Sequence, residues 1–162
     1  MPAVRANCFD ASALVKLEID ETGSDVVRAY FNREPTKYTT PFCFYEALSV
    51  LKGKWLNRKE ITKQQYLKAA ERLGARYRAM TAQVKDLDFT DRQIFPVALQ
   101  IANVTSLDLS DAFQILSVMG GYFAPLVGDS TTVLVTADAK LAEAARNEGL
   151  RVWSVLEEPP PP

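Results

Sequence analysis

Two short strand-like runs, Val4 to Phe9 and Thr132 to Thr136, each lead into an aspartate and then into helix-forming sequence. The first reads Val4-Arg5-Ala6-Asn7-Cys8-Phe9-Asp10-Ala11-Ser12-Ala13-Leu14-Val15-Lys16-Leu17, and the second reads Thr132-Val133-Leu134-Val135-Thr136-Ala137-Asp138 before the stretch Ala139 to Asn147. Strands that are apolar on both faces must be covered on both faces, which is the condition of a parallel sheet between helical layers. An aspartate at the end of such a strand stands on the carboxyl edge, where open α/β sheets place their chemistry. The expectation is therefore a three-layer α/β/α sandwich around a parallel sheet.

The remaining elements can be taken in chain order. Ser12 to Glu18 predicts a short helix, and Ser24 or Asp25 can cap a second running to about Arg33, ended by Pro35. Lys37 to Thr40 predicts a second strand, and Pro41 sits at a first-turn position before the helix Phe42 to Leu56. Thr62 to about Met80 is amphipathic and predicts a helix that pairs with the preceding one. Gln83 to Phe89 alternates apolar and polar residues and predicts another strand. A helix from Thr90 or Asp91 to about Asn103 must hold Pro96 near its first turn or be kinked by it, and Ala112 to Met119 forms the next helix, ended by Gly120-Gly121. Residues 122 to 131 read as a loop, and Leu150 to Val155 as a last strand, so about five strands are expected.

Length and apolar content suit one domain: 162 residues at 48% hydrophobic. Residues 1–156 are expected to form it, with a basic helical segment at 52–85, and the tail 157–162 holds four prolines and is expected to be disordered or partner-facing. No apolar run reaches the roughly 18 residues that cross a bilayer, and the N-terminus lacks a signal-peptide pattern, so a cytoplasmic protein is expected. Cys8 and Cys43 lie in apolar patterns without CxxC spacing and read as core thiols.

Histidine is absent, which removes the usual general base, the Ser/His/Asp triad and every histidine-containing metal site. What remains is carboxylate chemistry. Asp10, Glu46, Asp111 and Asp138 each adjoin apolar sequence, two at strand ends and two near helix starts, so all four can face the carboxyl edge of the sheet. Clustered carboxylates repel one another and hold protons unless a cation compensates, and an all-oxygen donor set suits Mg²⁺ or Mn²⁺. Such ions ready a water and stabilise charge on a phosphodiester. Asp108 lies three residues before Asp111 and reads as its cap or neighbour.

Each acid also has a plainer reading. Asp10 and Asp138 suit helix N-caps, as every strand-to-helix junction needs one, and Glu46 suits an exposed helix position. The net charge of −1 hides an uneven spread: residues 51 to 85 hold ten Lys and Arg against Glu60 and Glu71. Lys52, Lys54, Arg58, Arg72 and Arg76 are the candidates there for phosphate contacts, with an acidic partner or plain solvation as alternatives.

Cys8 to Leu17, Pro41-Phe42-Cys43-Phe44-Tyr45-Glu46, Leu109-Ser110-Asp111-Ala112 and Leu134-Val135-Thr136-Ala137-Asp138-Ala139-Lys140-Leu141 together resemble the ordered motifs of the PIN-domain nucleases, especially the VapC toxins of toxin–antitoxin pairs. The resemblance covers roughly residues 4 to 155, though the segment 52–89 and the loop 120–131 are longer than in compact toxins. It implies a Mg²⁺- or Mn²⁺-dependent endoribonuclease, commonly a homodimer and paired with an antitoxin, whose acids match Asp10, Glu46, Asp111 and Asp138. Thr136 matches a hydroxyl position that supports the metal site. Two other readings stay open on the residues alone: a non-catalytic PIN-like module that binds RNA or protein, and a phosphatase with Asp10 as nucleophile.

Overall fold

The computed structural model describes residues 5–81, 87–120 and 132–162. Its elements are β1 (Ala6–Phe9), α1 (Ala11–Glu18), α2 (Ser24–Arg33), β2 (Lys37–Tyr38), α3 (Pro41–Leu56), α4 (Lys63–Thr81), α5 (Ile94–Thr105), α6 (Leu109–Gly120), β3 (Thr132–Thr136), α7 (Ala139–Asn147) and β4 (Arg151–Ser154). Among the described residues the sheet has four strands in the order β2-β1-β3-β4, all parallel. The three-layer α/β expectation holds, with one strand fewer than expected.

The strand that differs is the one expected at Gln83 to Phe89. Residues 82–86 lie outside the described set, and Leu87 to Phe89 form no strand. Their apolar side chains do something else. Phe89 stands edge-on to Phe113 with ring centroids 5.2 Å apart and also meets Phe42, while Leu87 packs on the same core. The alternation thus covers an aromatic cluster over α6.

Strand alternation divides the interior in two. Phe9, Val133 and Val135 point to one side, where α1, α2, α3 and α4 bring Leu14, Val27, Leu51 and Leu73. Cys8 and Leu134 point to the other, against Ile101 of α5, Ile115 of α6 and Leu141 of α7. All are fully or nearly fully buried, each large aliphatic being worth about 1.5–3 kcal/mol of transfer free energy. Cys8 and Cys43 are buried thiols, as their apolar surroundings predict.

The register of the two central strands brings two polar side chains together at the sheet edge. Phe9 pairs with Val135, so the next residues, Asp10 and Thr136, emerge side by side from the carboxyl edge. Thr40 caps α3 by accepting from the Cys43 N–H at 3.1 Å, and Pro41 opens that helix. The start of α2 departs from expectation. Neither Ser24 nor Asp25 caps it; Gly23 occupies the N-cap at φ +85°, and the Ser24 hydroxyl instead donates to the Ile19 carbonyl. The left-handed backbone at Gly23 favours glycine, and a Cβ there would also stand 2.9 Å from Leu156 Cδ2.

The proline-rich tail, expected to be disordered or partner-facing, carries contacts with the body. Arg33 donates to the Pro161 carbonyl at 2.6 Å, Arg5 to Pro162 at 2.7 Å, and the Trp153 indole to Glu158 at 3.1 Å. Among the described residues, no helix is long and apolar enough to cross a membrane.

Candidate active site

A cavity of about 490 Å³ opens at the carboxyl edge of β1 and β3, and Asp10, Glu46, Asp111 and Asp138 all line it. The fold therefore gathers in one cleft four acids spread over most of the chain.

Asp10 is buried and held from three sides. Its Oδ1 accepts from the Ser12 hydroxyl at 2.7 Å and the Ala13 N–H at 2.8 Å, while Thr136 Oγ1 donates to Oδ2. It does cap α1, as its plainer reading held, and capping leaves it in the cleft. Burial pushes its carboxyl up to about 6, with the Thr136, Ala13 and Ser12 bonds pulling the other way. Thr136 in turn accepts from the Asp138 N–H at 3.0 Å, and Ser12 accepts from the Ala137 N–H at 2.8 Å, so β3 and the start of α1 are stitched together around Asp10. Asp138 likewise caps its helix, taking the N–H groups of Lys140 and Leu141 on Oδ1.

Asp111 lies in the first turn of α6, which begins at Leu109, three residues before the expected start at Ala112. Its own N–H donates to Asp108 Oδ1 at 2.9 Å, which gives Asp108 the capping role. Burial, followed by the charges of Asp108, Asp138, Asp10 and Glu46, pushes the Asp111 carboxyl up to about 7. Glu46, half-buried on α3, accepts from the Ser110 hydroxyl at 2.9 Å, which ties α3 to the start of α6.

Sequence reasoning missed several lining residues. Gln114, nearly fully buried, accepts from the Ala11 N–H at 3.3 Å and donates to Asp111 Oδ1 at 3.4 Å, bridging α1 and α6. Ser12 is the second hydroxyl on Asp10. Lys16 and Glu21 line the same cavity, joined at 2.7 Å, and Lys54 closes on Glu21 from the other side at 2.8 Å. Only the spacing of Ser12 and Lys16, one helical turn apart and just after Asp10, signals any of this in the sequence.

The basic candidates separate. Lys54 and Arg58 line the cleft, and Lys54 is buried between Glu21 and Glu60. Lys52 is exposed and does not line it. Arg72 and Arg76 turn away to the Glu18 carboxylate, at 3.1 and 2.6 Å, a group whose side chain has no exposure. Their charge neutralises a buried acid under α4, a partnership that sequence separation concealed.

The cleft's donor chemistry fits a hard divalent cation, since it offers carboxylate oxygens without histidine or thiolate and the mutual repulsion at Asp111 is what a cation would relieve. Among the described residues, no group of three or more acidic or cysteine side chains stands close enough to grip an ion as placed. One oxygen each of Asp10 and Asp138 goes instead to capping a helix. A family model described as PIN domain matches residues 8–147. No curated protein matches the chain.

Proposed function

The chain belongs to the PIN domain family, whose members are typically metal-dependent nucleases, and we propose that it is an endoribonuclease using Mg²⁺ or Mn²⁺. The observation that carries this reading is the meeting of Asp10, Glu46, Asp111 and Asp138 in one cleft of a chain without histidine. These four would hold the metal, which when bound supplies an activated water and stabilises the charge growing on a phosphodiester.

The rest is the work of the chain itself. Thr136 and Ser12 fix the Asp10 carboxylate in one rotation, and the Ala13 N–H holds it at the head of α1. Gln114 aims Asp111 into the same space, and Ser110 does so for Glu46. Positioning of this kind before substrate arrives is what makes electrostatic stabilisation effective. The raised proton affinity of Asp10 and Asp111 favours metal at neutral rather than acid pH.

The deciding experiment is cleavage of single-stranded and structured RNA in Mn²⁺ or Mg²⁺ against EDTA, for the wild type and Asp10→Asn. Cleavage lost in EDTA and in the variant supports the reading; cleavage indifferent to both removes it. The family resemblance further supports a toxin role with a cognate antitoxin, tested by co-purification with the product of the neighbouring coding sequence. A homodimer is supported by α5, which leaves Phe95, Leu99 and Val104 exposed, Val104 at 72%. Light scattering of the wild type and Leu99→Glu tests it, a monomer in both being the contrary result.

A further inference from the structure

The cleft has two poles. Along α3, Glu46, Val50 and Lys54 recur every fourth residue and all line the cavity, so the helix presents a carboxylate at one end and an ammonium about 12 Å further on. Helix α1 repeats the polarity, with Asp10 at its cap, Ser12 in its first turn and Lys16 one turn later, all in the same wall. Two packed helices thus run from acid to base in the same direction.

At the basic pole the ammoniums are held in place. Glu21 takes Lys16 on one oxygen at 2.7 Å and Lys54 on the other at 2.8 Å, and Lys54 also meets Glu60 at 2.7 Å. Burial pushes Glu21 up, but the two lysines outweigh it and keep its carboxyl below the usual range. Both lysines are nearly fully buried and line the cavity, so packing and their ion pairs hold them in place. Arg58 is exposed at the rim. Three cations against two carboxylates leave a surplus of one positive charge, which one phosphodiester cancels.

We propose that Lys16, Lys54 and Arg58 form a phosphate subsite that takes a backbone phosphate of single-stranded RNA flanking the one to be cut, with Glu21 and Glu60 holding the cations in readiness. This rests on the ribonuclease reading above. The subsite sets the direction and register of the strand, because the acidic pole repels every phosphate not paired with a metal.

The test uses a fluorescein-labelled single-stranded oligoribonucleotide with the full chain, binding being measured in EDTA across a salt series and cleavage in Mn²⁺. Arg58→Gln and Lys54→Gln are expected to raise Kd several-fold, to lower the slope of log K against log salt by about 0.7 per contact removed, and to reduce kcat/KM through KM. Lys54→Arg, which keeps the charge, is expected to retain most of the affinity. Arg58 is exposed, so its variant tests the subsite without burdening the fold. Wild-type cleavage with affinity, salt slope and KM unchanged in Arg58→Gln and Lys54→Gln overturns the subsite alone and leaves this wall to an acidic protein partner. A wild type that neither binds nor cuts RNA overturns the ribonuclease reading and the subsite with it.

Discussion

Thr136 donates its hydroxyl to Asp10 Oδ2 across the gap between two neighbouring parallel strands, joining residues 126 apart in sequence. The bond exists because Phe9 and Val135 are in register, so the strand pairing and the orientation of the carboxylate are one geometric fact.

Removing that hydroxyl while keeping the shape isolates its contribution. Thr136→Val is expected to weaken Mn²⁺ binding by about 10–100-fold, as loss of a partner to a metal ligand commonly does. Asp10→Asn is expected to weaken it further and to abolish cleavage. Calorimetric titration of Mn²⁺ checks both, and equal affinity in all three proteins would contradict the assignment.

Proton affinities in the cleft set a pH dependence with a definite sign. Asp10 and Asp111 bind protons more tightly folded, at about 6 and about 7, than at the ordinary 3.8. Between pH 3.8 and 7 the folded chain therefore holds more protons than the unfolded one, and stability falls as pH rises through that window. In EDTA the melting temperature is expected to fall from about pH 5 to about pH 7.5 on account of these two groups, and Asp111→Asn is expected to flatten the trend. Mn²⁺ binding is expected to release protons near pH 6, seen as a buffer-dependent binding enthalpy.

Arg72 and Arg76 converge on Glu18, whose carboxylate is fully enclosed. Replacing both with alanine leaves a buried acid unpaired and is expected to cost about 2 kcal/mol, below the usual range for a buried pair because Arg72 is itself half exposed. Urea denaturation measures this. RNA affinity is expected to be unchanged, in contrast to Arg58→Gln.

Gly23 adopts a left-handed conformation under Leu156. Gly23→Ala meets both the backbone penalty and the Leu156 side chain, and is expected to destabilise by more than about 1 kcal/mol. Thermal unfolding provides the measurement.

The parts of the fold that could be read from the sequence are those whose signals are local. Val133, Leu134 and Val135 announce a buried strand by themselves, and the acids stand out because each interrupts apolar sequence. Asp10 needed no choice between helix cap and site residue, since the end of a central strand puts a cap in the cleft. What was hidden depends on distant partners. Glu18 and Arg76 lie 58 residues apart, so the basic face of α4 read as free charge. Gln114 looks like any polar residue in a helix until Ala11 arrives beside it. Phe89 alternates like a strand residue, and only the presence of Phe113 and Phe42 shows it to be a lid on a core.

The order of the strands also has a consequence in time. A ribosome delivers Asp10 and Glu46 early, but β3, the strand that pairs with β1 and carries Thr136, emerges only after α6. Until then the nascent chain has neither the hydroxyl that fixes Asp10 nor Asp138. The four-acid cleft is therefore a late product of synthesis, complete only when β3 closes against β1.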